Sequence, residues 1–285
     1  MTTDKIALLV DSCTDVPDDM IEKYGMFVIP LKIIYKDRVY TDKVDINAEK
    51  VYAHLDTEIP TTSLPDGQEI TTIFDKIKNE GYTKVVVVTI SSGLSGTNNL
   101  VRLIAEDYSG LDVFVVDTKN IGIGSGMQGI QAGQLIASGA DWNTIKRTLT
   151  ANVAKSKVFF CVDTLLYLQK GGRIGLVSSI LGSALNLRPI ISCNEDGVYY
   201  TVAKVRGRKK NLEKAVELAT KFIGSHQRFN LAIVDGAAKE EAKEITAKLK
   251  QLFPQAEAIF EGAVGPALGV HTGPGLIGIG IQLLD

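Results

Sequence analysis

The chain has 285 residues, 45% of them hydrophobic and 22% charged, which excludes intrinsic disorder and suffices for one large domain or two of ordinary size. Thirty-one Lys and Arg against 33 Asp and Glu leave a net charge of −2, so the chain carries no electrostatic footprint for nucleic acid. Three cysteines far apart and only three histidines offer neither a disulfide framework nor metal-ligand spacing, as expected in a reducing compartment. The first apolar run stops at Asp11, too soon for a signal peptide, and no run reaches the roughly 20 residues of a membrane span, so a cytoplasmic protein is expected.

In the first half, strand-like runs cover Lys5–Val10, Phe27–Tyr35, Lys84–Thr89 and Asp112–Val116. Those around Leu8 and Val86 are continuously apolar, as in strands covered on both faces of a parallel sheet. Helical patterns fall between them at Pro17–Tyr24, Ala48–Leu55, Gln68–Asn79 and Asn98–Tyr108. Lys32–Asp42 reads as a hairpin turning at Lys36-Asp37. From about Lys157 the pattern changes. Strands at Val158–Val162, Pro189–Ser192 and Val198–Val205 precede a helix at Lys209–Ser225. A strand at Asn230–Val234, a helix at Lys239–Leu252, and strands at Glu257–Phe260 and Leu276–Leu283 complete the chain. The expected fold is two α/β domains, 1–157 with a mainly parallel sheet and 158–285 with a mixed sheet, and a ligand site between them.

Four polar or glycine-rich loops stand where such a fold gathers ligands. Asp11-Ser12-Cys13-Thr14-Asp15 follows the first strand; its acids suit backbone amides and the start of the Pro17 helix, and Cys13 reads as a small buried filler. Thr61-Thr62-Ser63-Leu64-Pro65 places three hydroxyls before a helix that needs one cap. Ser91-Ser92-Gly93-Leu94-Ser95-Gly96-Thr97 joins a strand to a helix N-terminus, where amides, hydroxyls and glycines make an anion cradle. Lys170-Gly171-Gly172-Arg173 and the late loop Gly269–Gly275, with His271, form the fourth region. Arg173 suits an anion, and a solvated turn explains it equally.

Enzyme signatures are incomplete. Gly124-Ser125-Gly126-Met127-Gln128-Gly129 matches G-x-G-x-x-G but starts several residues after its strand, so it reads as close packing of a helix. Gly93-Leu94-Ser95-Gly96-Thr97 approaches the nucleophile elbow but carries Thr97 where the second glycine belongs. A serine-dependent acyl hydrolase or thioesterase using Ser95 and His271 remains the alternative reading.

Taken in order, these segments resemble the DegV family. The resemblance runs through Asp11-Ser12 with Asp15, Pro30-Leu31, Thr61–Pro65, Ser91–Thr97, Asp117-Thr118, Leu168 with Lys170–Ile174, Pro189-Ile190 and His271–Gly275. Cys13, where threonine or serine is usual, and Arg188, where lysine is common, depart from it. The resemblance implies no catalytic residue and no cofactor. It implies a non-catalytic carrier that buries a long-chain fatty acid between two domains, as do the fatty-acid-binding subunits of bacterial fatty acid kinase. The carboxylate would be held by Thr62, Ser95, Gly96, Thr97 and His271. A partner kinase subunit would phosphorylate it with ATP and magnesium, and Arg173 would serve kinase docking or the acyl phosphate, which is carried toward phospholipid synthesis. Burial of about fifteen methylenes at roughly 0.8 kcal/mol each gives the tail on the order of 12 kcal/mol gross. The uncharged segment Ile174–Leu187 is expected to form a lid that touches membrane, with Leu181→Asp as its test.

Overall fold

The computed structural model describes residues 5–180 and 187–285. The first strand, β1 (Ile6–Asp11), leads through a 3-10 turn to α1 (Asp18–Lys23), β2 (Phe27–Ile29), β3 (Lys32–Ile34) and β4 (Val39–Thr41). Then follow α2 (Ala48–His54), β5 (Thr61–Ser63), α3 (Gly67–Asn79), β6 (Lys84–Thr89), α4 (Thr97–Asp107), β7 (Asp112–Asp117), α5 (Ile123–Ala137) and α6 (Trp142–Asn152). Strands β2-β1-β6-β7 form a four-stranded sheet, parallel throughout. Its β6 core, Val85–Val88, is fully buried because helices cover both faces.

The expected single strand Phe27–Tyr35 is two. Phe27–Ile29 pairs with β1, whereas Lys32–Ile34 joins β4 and β5 in a separate antiparallel sheet. Pro30 lies between them with no N–H for a ladder, and the chain leaves the parallel sheet there. The hairpin closes as read, with Tyr35 N donating to Arg38 O. Thr61–Ser63, expected as loop, is an edge strand with Thr62 opposite Ile33.

The second half contains β8 (Ser156–Cys161), α7 (Leu166–Lys170), a 3-10 turn Gly175–Ile180, β9 (Leu187–Cys193), β10 (Tyr199–Arg206) and α8 (Arg208–Ile223). It ends with β11 (Phe229–Gly236), α9 (Lys239–Leu252), β12 (Ala258–Ala263), α10 (Pro266–Thr272) and β13 (Leu276–Leu283). Six strands in the order β10-β9-β8-β13-β11-β12 make a mixed sheet, parallel only between β11 and β12. Two α/β domains with a parallel and a mixed sheet are therefore what the chain builds.

One face of the mixed sheet packs under α8 and α9 through Ile277, Ile279 and Ile281. The other turns Leu276, Gly278 and Gly280 toward the first domain. The helix that fits between the domains is α5, buried through its first eleven residues, Ile123–Gly133. Glycines allow close approach on both sides of it: a Cβ on Gly126 would overlap Thr14 O in its own domain, and one on Gly280 of β13 would stand 2.9 Å from Met127 Cε across the boundary. A buried amide chain also crosses the boundary, with Asn152 and Gln282 donating to Gln131 Oε1 and Asn230 donating to Gln282 Oε1.

Candidate functional site

Four of the residues singled out by sequence converge on one cavity of about 290 Å³ between the domains: Thr62, Ser95, Arg173 and His271 all line it. Gly96 and Thr97 stand behind Ser95. Gly96 caps α4, and a Cβ there would meet Leu64 Cδ1 at 3.3 Å. Thr97 Oγ1 lies 2.9 Å from Ser95 Oγ, which also accepts from Thr97 N at 3.3 Å. Cys13 is buried and lines the cavity floor, with burial pushing its thiol well above the usual range. Most of the remaining wall is aliphatic, from residues such as Leu31, Ile90, Leu94, Ile121 and Leu268.

The polar end centres on His271. The expected late loop around it is mostly helix, α10, started by Pro266 after Gly265 and closed by Gly273 at φ 67. That helix aims Nε2 at Thr62 Oγ1, 2.7 Å away. The imidazole is buried, and burial with the nearby Arg173 charge pushes its pKa down to about 4, so it is neutral at physiological pH. On the opposite side of the ring a Cβ on Gly171 would overlap Nδ1, so only glycine admits the ring there. Arg173 is anchored to the same turn, donating from Nη1 to Gly171 O at 2.8 Å.

Two expectations about helix starts are corrected. The acids after β1 do not cap α1, which has no side-chain cap. Asp11 Oδ2 instead accepts from Ile90 N at 2.8 Å, and Asp15 Oδ1 from Gly265 N at 3.1 Å, fixing distant segments of the cavity wall. Nor does a hydroxyl of Thr61–Ser63 cap α3, where Asp66 and Glu69 form a capping box. That leaves Thr62 free for His271. Ser95 and His271 line one cavity but share no hydrogen bond, since their close partners are Thr97 and Thr62. Among the described residues no carboxylate orients His271 Nδ1, which is buried without a partner there, so these residues do not form the activating relay of a hydrolase.

Sequence reading missed the cavity's extension. Past Ile121, Tyr199, Leu268 and Thr272, shared by both spaces, a narrow apolar arm of about 30 Å³ runs between Phe160, Val234 and Leu276. Gly278 opens it: a Cβ there would stand 2.8 Å from Val234 Cγ2 and face Leu276 and Phe160. The signal was present in β13, where Gly278 and Gly280 alternate with isoleucines, leaving one face of a central strand bare. Of the Ile174–Leu187 segment, Gly175–Ile180 forms a 3-10 turn with Leu176 exposed, while Leu181 lies outside the described residues. Among the described residues no helix is long and apolar enough to cross a membrane, and no cluster of His, Cys, Asp and Glu suits a metal ion.

Burial also raises the Asp11 carboxyl to about 7, against amide hydrogen bonds from Ile90 and Cys13 that lower it. A folded-state pKa above the unfolded one means that the native state holds the extra proton. The stability this contributes is full below about pH 4 and is lost as pH rises through 7. Asp11→Asn is therefore expected to gain on the wild type by about 1–3 kcal/mol between pH 5 and pH 8, read from urea midpoints. A difference independent of pH would contradict this.

The DegV family model, described as "Uncharacterised protein, DegV family", matches residues 5–283. A DegV domain-containing protein of Clostridium acetobutylicum is 42% identical over 279 residues, covering 97% of this chain and 98% of its own. Among solved structures, a fatty-acid-binding DegV family protein from Thermus thermophilus superposes with a TM-score of 0.93 at 26% identity, over 98% of this chain and 100% of its own. A stearic acid-binding protein from Eubacterium ventriosum gives 0.89 at 26% identity, over 98% of each chain. A family match over nearly the whole length, together with the two-domain fold and these relatives, establishes that the chain belongs to the DegV family.

Proposed function

We propose that this protein is a carrier that buries one long-chain fatty acid between its domains and presents the carboxylate to a separate kinase. The observation that carries the reading is a pair of adjoining spaces that share Ile121, Tyr199, Leu268 and Thr272 as walls, one polar at Thr62, Ser95 and His271 and the other a narrow apolar arm. Fatty-acid-binding proteins of the same fold support it. The Ser95 and Thr62 hydroxyls donate hydrogen bonds to an anion without neutralising it, and the neutral His271 donates Nε2–H to Thr62 Oγ1, which leaves the threonine proton for the carboxylate. The N-terminus of α4 adds favourable partial charge beside Ser95. Burial of the tail supplies most of the affinity, and the head group sets orientation.

In this reading the partner is the catalytic subunit of a fatty acid kinase, which uses ATP and magnesium, and the carrier needs no cofactor of its own. The acyl phosphate then travels on the carrier toward phospholipid synthesis in the cytoplasm. Arg173, half-buried at the cavity and held by the Gly171 carbonyl, is the cation available to the phosphorylated head group. Exposed Leu64, Leu166 and Leu176 lie on segments around the head-group end and suit transient contact with a membrane surface during loading. Kinase, carrier, ATP, magnesium and oleate together are expected to give acyl phosphate, trapped by hydroxylamine, and omission of the carrier to abolish it. Arg173→Ala is expected to lower the yield about tenfold, the worth of one charge-assisted hydrogen bond. Equal phosphorylation of oleate without the carrier would overturn the assignment.

A further inference from the structure

The apolar arm ends at a carboxylate. Asp15 follows the 3-10 turn after β1 in a left-handed backbone conformation, φ 48, that Asp and Asn tolerate better than most residues. Its side chain is 1% exposed and pairs through Oδ1 with Lys43 Nζ at 2.8 Å, beside the Gly265 amide. The second oxygen, Oδ2, is buried and has no hydrogen-bond partner among the described residues.

That oxygen faces the arm. A Cβ built on Gly122 would stand 3.7 Å from Asp15 Oδ2 and 3.4 Å from Leu268 Cδ1, and all three residues border the arm. On its other side Asp15 lines a surface groove of about 450 Å³ together with Lys43, and Ile123, Val234 and Val264 line both spaces. Asp15 is thus the partition between the inner arm and the outside. Lys43, which reaches it from the groove side, satisfies only the oxygen turned away from the arm.

An unpaired buried acceptor costs about 1–3 kcal/mol. A chain ending in a methyl group leaves that cost in place, and a hydroxyl on the chain removes it by donating to Oδ2. A hydroxyl buried in a purely aliphatic arm is instead penalised, because it leaves water for no partner. We propose that the arm selects fatty acids carrying a hydroxyl in the distal part of the chain, with the O–H donating to Asp15 Oδ2. This rests on the carrier reading and names the substrate class within it.

The test uses the full chain and octadecanoic acid with its 10-, 12- and 18-hydroxy derivatives, ranked by displacement of a fluorescent fatty acid. The isomers scan the depth at which a hydroxyl meets Asp15. Wild type is expected to bind at least one isomer as tightly as octadecanoic acid or more tightly. Asp15→Leu combined with Lys43→Met removes the acceptor without stranding the lysine. It is expected to keep octadecanoic acid within about threefold and to weaken every hydroxy isomer about tenfold or more. Asp15→Asn retains a carbonyl acceptor and the backbone conformation, and is expected to keep the wild-type preference. Rejection of all three isomers by wild type overturns the inference, and that panel decides even if the double variant does not fold. Survival of the preference in the folded double variant also overturns it. If wild type binds none of the four acids, the carrier reading falls as well; if it binds octadecanoic acid alone, only the present inference falls.

Discussion

Gly278→Val is expected to lower affinity for a long-chain fatty acid about 4- to 15-fold while leaving the protein folded. The reason lies in β13. Its outer face, Ile277, Ile279 and Ile281, is packed under α8 and α9, and its inner face is bare at Gly278. The first added carbon stands 2.8 Å from Val234 Cγ2, and the two valine methyls have only the arm to enter. With about 30 Å³ free there, three carbons close it. Excluding the one or two methylenes that this volume holds, at roughly 0.8 kcal/mol each, removes about 0.8–1.6 kcal/mol, or about 4- to 15-fold in Kd. Overpacking costs the fold about 1–3 kcal/mol, which in a chain of this size lowers Tm by several degrees without abolishing the native state. Displacement titrations and calorimetry on the same sample separate the two effects. An unchanged Kd in the folded variant would mean that the tail does not occupy this arm.

The second large effect concerns the head group. His271→Leu is expected to weaken binding of a free fatty acid by about 10- to 100-fold and to leave its methyl ester nearly unaffected. The imidazole is neutral, so leucine removes a hydrogen-bonding group and not a charge. What is lost is the Nε2–H donor that turns the Thr62 hydroxyl toward an ionised carboxylate, a hydrogen bond worth about 1.5–3 kcal/mol. Thr62 lies 2.7 Å from His271 Nε2, so the two form one network. Thr62→Val in the His271→Leu background is therefore expected to add less than it costs alone. Acid and ester affinities across the four proteins give the cycle directly. If acid and ester fall together, the histidine shapes the cavity and does not hold the carboxylate.

The two-domain α/β architecture was legible because continuous apolar runs such as Val85–Val88 are diagnostic of strands covered on both faces. Pro30 was a readable break in the run Phe27–Tyr35, but the partner that recruits Lys32–Ile34 is the remote Thr61–Ser63, whose pairing no local pattern states. Three hydroxyls before a proline look like a turn, and they become strand because β3 offers them an edge. The short helix carrying His271 was hidden by its glycines, although Pro266 at its start and Gly273 after its end were local signals.

Hydroxyls and glycines around Ser95 suggested an anion, since a helix N-terminus favours one whatever the surroundings. Of the arm, only the bare glycine face of β13 was legible. The arm's walls come from Ile121, Phe160, Val234 and Gly278, brought together only by docking of the two domains. The same holds for the fit of the imidazole against Gly171, a contact between residues 100 positions apart.

The most direct test of the carrier is to denature the protein as purified, extract it with organic solvent and identify the released lipid by mass spectrometry. The account predicts free fatty acid at close to one per chain. An empty extract that stays empty after incubation with a panel of C14 to C20 acids would contradict it.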